Sequence, residues 1–271
     1  MTREMGSLGR DVALSLAERL GLELVQHEIV ANVAEKMQVR ESSVNRFLEG
    51  QAGMFERWGI NESDLSLYTT EEILKVAQRG NVLIRGWGAT YVLRDIQHVL
   101  CVRVCAPIER RTDVMLGRLG IQERHVARRE IERNDAAHAR TMLHNFNADY
   151  KDPLLYDLVL NNAKTSTADC VGVIENLVKS ASFAETDASR QGLAQRLVEA
   201  EVQAVLRDIN RAGGMTPWFE AYYEPSTGTV TLRGAAYEEQ LRKEAERLVR
   251  ELPQVKDVRN DITVLRPYVG T

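Results

Sequence analysis

The sequence predicts an α/β domain built on a parallel sheet with helices on both faces, followed by a small α+β module. Three observations predict it. Asn81–Gly86 and Val99–Ala106 are short, nearly continuous apolar runs separated by helical stretches, as in parallel sheets covered on both sides. A small-residue stretch, Gly6-Ser7-Leu8-Gly9, runs into an amphipathic helix marked by Val12, Ala13, Leu16, Ala17 and Leu20. Past the small, polar segment Ser180–Gly192 the order changes to α-β-β-α-β. The resulting partition is a first domain over 1–180, a linker over 181–192 and a second module over 193–267.

Each element follows in turn. Leu22-Glu23-Leu24-Val25 reads as a strand, and helical pattern then dominates from His27 to about Arg79. Ser42, Thr69 and Thr70 read as helix caps, with Glu71 and Glu72 in the first turn after Thr70. Glu49–Ile60, rich in glycine and aromatics, reads as an insertion or a packed helical turn. Pro107 opens an Arg-rich helix, a polar stretch runs from Gly120 to Tyr150, and Leu155–Leu160 reads as a strand. Thr165–Lys179 is the last helix of the first domain. In the module, Leu193, Leu197, Val202 and Leu206 mark a helix. Strands follow at Trp218–Tyr223 and at Val230–Leu232, a helix through Leu241, Ala245 and Leu248, and a strand through Val258, Ile262 and Val264.

Composition narrows the function classes. The chain has 271 residues, 44% of them hydrophobic and 27% charged, with a net charge of −4. That balance argues against a general nucleic-acid binder. No apolar run approaches the roughly 20 residues needed to span a bilayer, and no secretory leader pattern is present. Cys101 and Cys105 fall in one strand, roughly 13 Å apart, too far for a disulfide. Three unpaired cysteines suit a reducing, cytoplasmic setting.

A small-residue loop ending at a helix start gathers backbone N–H groups that favour an anion. Arg10 would add positive charge there. Taken alone, the stretch departs from the G-x-x-x-x-G-K-[ST] phosphate loop: Glu4 stands for the first Gly, Arg10 for the Lys and Asp11 for the Ser/Thr. It then reads as an ordinary helix start.

Four segments in order change that reading. Arg3-Glu4-Met5-Gly6-Ser7-Leu8-Gly9-Arg10, Gly86-Trp87-Gly88-Ala89, Ala106-Pro107-Ile108-Glu109-Arg110-Arg111 and Tyr156-Asp157-Leu158-Val159-Leu160-Asn161 together resemble the cytidylate-kinase-like family. Those proteins are P-loop relatives of nucleoside monophosphate kinases. Gly228-Thr229-Val230-Thr231-Leu232-Arg233-Gly234 and Val255–Ile262 resemble a BON domain.

The resemblance implies a P-loop NTPase-type sheet and phosphoryl transfer from ATP, with Mg²⁺, to a pyrimidine monophosphate such as CMP. Gly6, Ser7, Leu8, Gly9, Arg10 and Asp11 would hold the donor phosphates, and Asp11 would bind Mg²⁺. The lid would contribute arginines from among Arg111, Arg118, Arg128, Arg129 and Arg133. Arg10, Arg128 and Arg129 are the candidate catalytic residues.

Gln26, Trp87 and Asp135 would lie on the acceptor side. Gln26 stands where relatives carry Asp, Trp87 where they carry Arg, and His138 where an Arg follows Asp135 by three. Such losses fit either a changed acceptor or a catalytically inactive nucleotide sensor or adaptor acting through the BON module. The module implies a membrane, ligand or protein partner. Only Met1–Glu4 precede the loop, against a usual strand of about 5–6 residues, so either the sheet has a stunted central strand or, as expected here, the reading frame begins upstream.

Overall fold

The computed structural model describes residues 1–25, 27–48, 60–86, 88–120, 123–212 and 219–265. They divide into two compact units, Met1–Ser189 and Arg190–Thr271.

In the first unit, β1 (Thr2–Arg3) pairs in parallel with β4 (Val102–Cys105), and β4 with β5 (Leu158–Asn161). β2 (Glu23–Val25) pairs in parallel with β3 (Val82–Ile84). Met1 joins the two ladders: its nitrogen donates to Ile84 O at 2.7 Å, and its carbonyl accepts from Gly86 N at 3.1 Å. The strand order is therefore β2-β3-β1-β4-β5, with the two-residue β1 at the centre.

α1 (Gly9–Leu20) and α8 (Thr167–Val178) cover the sheet through one apolar cluster. Val12, Ala13, Leu16 and Ala17 meet Leu83, Val102, Val104, Cys170, Val171 and Ile174 there. A capping box between Ser166 and Asp169 starts α8. α2 (Glu28–Met37) packs on α3 (Glu41–Leu48) and on α4 (Glu62–Gln78).

Several elements differ from the expectation. Ser42, Thr69 and Thr70 are inside helices, not at their caps. Asn61 caps α4, its side chain accepting from Asp64 N at 3.1 Å. Glu71 and Glu72 are buried in mid-helix, where Lys36 from α2 bridges both at 2.7 Å. The Glu49–Ile60 insertion lies outside the described residues as far as residue 59; Ile60 is buried.

The polar stretch after Gly120 is largely one helix, α7 (Arg124–Phe146), preceded by α5 (Ala89–Leu93) and α6 (Ile108–Leu119). α7 buries only Ala127, Ile131, Ala137, Met142 and Phe146, a seam too narrow to dominate its sequence. The strand expected from Leu155 begins at Leu158. Asp152 accepts from Leu154 N at 2.9 Å and holds Pro153–Leu155 in a 3₁₀ turn instead.

In the second unit, α9 begins earlier than the apolar pattern implies. It runs Asp187–Ala212 because Thr186 and Ser189 cap it reciprocally, at 3.0 and 3.1 Å. β6 (Phe219–Glu224) is antiparallel to β7 (Thr229–Ala236), and β7 is parallel to β8 (Asp257–Val264). α9 and α10 (Glu239–Arg250) close one sheet face over Val202, Leu206, Phe219, Val230, Leu232, Ala245, Val249, Val258 and Ile262.

Candidate active site

The loop between β1 and α1 is tightly built. Ser7 is fully buried; its Oγ donates to Val104 O at 3.1 Å, and its carbonyl accepts from the Asn162 side-chain amide. The hydroxyl thus serves the loop, not a ligand. Gly6 has φ +77°, and a Cβ there would meet Arg111 O at 2.7 Å, so neither the backbone conformation nor the space admits a side chain. Leu8 adopts φ 60°, a left-handed conformation that costs a non-glycine residue about 1 kcal/mol.

Within the loop, Ser7 N bonds to Glu4 O at 3.1 Å, and Asp11 N and Val12 N bond to Leu8 O at 2.9 and 3.1 Å. Gly9 N meets Ser7 Oγ at 3.4 Å. Among the described residues, the N–H groups of Gly6, Leu8 and Arg10 have no hydrogen-bond partner. The Arg10 side chain is exposed and makes no ion pair among these residues. Donors and positive charge therefore collect at the start of α1, the arrangement that binds phosphate.

Behind the loop is a buried charge network. Glu4 accepts from Arg103 at 2.7 Å and from Ala106 N at 3.3 Å. Arg111, 5% exposed, holds Asp135 through two bonds of 3.0 and 2.5 Å, reaches Met5 O at 3.3 Å and lies 3.7 Å from Glu4. Glu4, just past the end of β1, is tied by these contacts to residues of β4, α6 and α7. His138 meets the Tyr150 ring edge-on at 4.7 Å. Burial, helped by the nearby Arg3 charge, pushes the His138 imidazole down to about 4, so it is neutral at pH 7.

The structure brings only some of the sequence candidates together. Gly6, Ser7, Leu8, Gly9, Arg10 and Asp11 form the loop and the first turn of α1. Asp135 faces the loop corner through Arg111. Arg128 does not bond to the loop: on the exposed side of α7 it is bound to Glu109 at 2.7 Å and to Glu132 at 2.9 Å. Arg129 is exposed and bonds to no loop residue. Gln26 and Trp87 lie outside the described residues. Arg128 and Arg129 lead the five lid arginines in the sequence, yet it is Arg111 that bonds to the loop backbone, at Met5 O, while Arg118 reaches the Asp11 carboxylate in the first turn of α1. Asn162 gives no signal of its own, falling one position past the matched Tyr156–Asn161 segment.

Asp11 offers a hard carboxylate donor suited to Mg²⁺. Its Oδ2 is held by Arg118 at 2.5 Å; Oδ1 makes no hydrogen bond among the described residues, and the side chain is 39% exposed. One oxygen of Asp11 therefore fits the ion. No helix among the described residues is long and apolar enough to cross a membrane.

A model of the cytidylate kinase-like family matches residues 1–164, and a BON domain model matches residues 224–266. No curated protein matches the chain. A crystal structure of an uncharacterized protein from Eubacterium ventriosum ATCC 27560 is similar at TM-score 0.52 and 18% identity. The match covers 66% of this chain and 96% of that one. At that identity the likeness concerns the fold alone. The family match spans more than half of the chain and includes the loop, the Arg111 helix and Asp135. The chain belongs to the cytidylate kinase-like family and carries a BON domain behind its kinase-like unit.

Proposed function

We propose that the first unit is a nucleoside monophosphate kinase that transfers a phosphoryl group from ATP to a pyrimidine monophosphate such as CMP, and that the BON domain targets or regulates it. The observation that carries this reading is the set of unpartnered N–H groups at Gly6, Leu8 and Arg10, beside the exposed Arg10 guanidinium. Phosphoryl transfer asks for positioning and for positive charge on the transferring group. In this reading the three N–H groups and Arg10 bind the donor phosphates, and Asp11 holds Mg²⁺ through one oxygen. Mg²⁺, when bound, neutralises charge on the phosphate oxygens. Arg128 and Arg129 meet the phosphates when α7 closes, which requires Arg128 to leave Glu109. Closure also excludes water from the phosphates. The acceptor lies on the side of Gln26, Trp87 and Asp135.

A second reading, an inactive nucleotide sensor or adaptor, is favoured by one observation: Arg111 already holds Asp135, and Arg118 already holds Asp11. One experiment separates the two. The full chain is incubated with ATP, Mg²⁺ and each common monophosphate, and ADP release is followed alongside thermal unfolding. Turnover with CMP or another pyrimidine acceptor is expected. Stabilisation by ATP with no turnover transfers the conclusion to the sensor, and indifference to every nucleotide removes the kinase and the sensor and leaves only a structural adaptor.

A further inference from the structure

We infer that Asn162 and Arg111 are positioning residues of the glycine loop, each gripping one loop carbonyl and thereby aiming the N–H of the residue that follows. The inference rests on the reading of the loop as a phosphate site. In a planar trans peptide the C=O and the next N–H point in opposite directions, and among the described residues no peptide bond is cis.

The Asn162 side-chain amide donates to Ser7 O, so the Leu8 N–H is turned away from Asn162. The Arg111 guanidinium donates to Met5 O at 3.3 Å, so the Gly6 N–H is turned away from Arg111. Gly6 and Leu8 carry two of the three unpartnered N–H groups. The two anchors thus act on alternate peptides, Met5–Gly6 and Ser7–Leu8, and turn the N–H of each away from its anchor.

Both anchors are themselves fixed. Asn162 is 3% exposed, and its own N–H donates to Cys105 O at 3.0 Å at the end of β4. Arg111 is held in its plane by the two bonds to Asp135. The grip matters most at Leu8, whose left-handed conformation gives the Ser7–Leu8 peptide a reason to flip. The Asn162 bond opposes that flip. The amide of Asn162 also links the loop to the end of β5.

The test uses the isotope-labelled full chain with Asn162→Asp, Asn162→Ser and Arg111→Lys, titrated with ATP and with pyrophosphate while the Gly6 and Leu8 amide signals are followed. In the wild type both amides are expected to move on ligand addition. Both Asn162 variants are expected to shift the Leu8 amide before any ligand is added and to weaken ATP binding about tenfold. Arg111→Lys is expected to shift Gly6 more than Leu8. Folded Asn162 variants with a wild-type Leu8 signal and wild-type affinity overturn the inference. If Asn162→Asp fails to fold, Asn162→Ser decides. A wild type that responds to neither ligand overturns the phosphate reading instead, and the ligand-free Leu8 signal still decides whether Asn162 positions that peptide.

Discussion

The loop corner of the first unit and the sheet module of the second use charged residues in opposite ways. At the corner, Arg103 and Arg111 are buried and pinned to Glu4, Asp135 and the Met5 carbonyl. In the module the core is apolar and the arginines of α10 lie outside it. Arg247 bridges Glu244 at 2.6 Å, and Arg250 bridges Glu246 at 3.0 Å, on a half-exposed face. Buried ion pairs carry a desolvation cost that a hydrophobic core avoids. The module is built for stability by the cheaper means. The corner retains charges where they fix the orientation of backbone donors.

Three substitutions or conditions test that contrast, from large to small. Arg111→Ala leaves Asp135 with no cation bound to it among the described residues and frees Met5 O. The calorimetric transition of the first unit should fall by about 3–5 kcal/mol in stability. A loss comparable to that of an ordinary surface arginine would break the contrast. Acid should act next. Above the ordinary imidazole pKa of 6.5, His138 is neutral whether the chain is folded or not, and stability is unaffected by it. As pH falls from 6.5 towards 4, the unfolded chain takes up a proton that the folded site refuses, and the first unit loses up to about 3 kcal/mol. Denaturant unfolding of wild type and His138→Phe across that window should show a steeper slope for the wild type; parallel slopes would remove His138 from the account. Arg247→Ala, finally, should leave the module's unfolding transition where it was, and a marked drop would mean that its surface pairs are more than solvent-screened contacts.

The same contrast explains how much was legible in the sequence. The module's alternation and spacing state its fold directly, because Val230 and Leu232 point one way on β7 and Leu241, Ala245 and Leu248 mark one helical side. The parallel strands and the glycine loop were equally visible, since each is a local pattern. The corner was not. The sequence points to Arg128 and Arg129, and nothing in Glu109–Arg133 marks out Arg111 until α7 is laid beside α6. Glu71 and Glu72 imitate a first helical turn after Thr70, although they are buried against Lys36 and Asn32, far away in the chain, together with Lys75. Asn162 carries its role through a side chain that reaches back across the sheet to residue 7. Local propensity is written in neighbours, and these roles depend on residues brought together only by the fold.

Gly88 gives the Phe146 ring its seat: a Cβ at position 88 would lie 2.2 Å from the ring's Cε2, and the backbone there has φ +78°. Two positions 58 apart in the chain thereby depend on each other sterically. A lineage that replaces Gly88 has first to shrink Phe146, and even then it bears the strain of a left-handed residue. The order of substitutions is constrained, and the two sites should drift together or not at all. The end of α7 is in this way tied to the turn after β3 by packing, and the tie restricts which substitutions either position can accept.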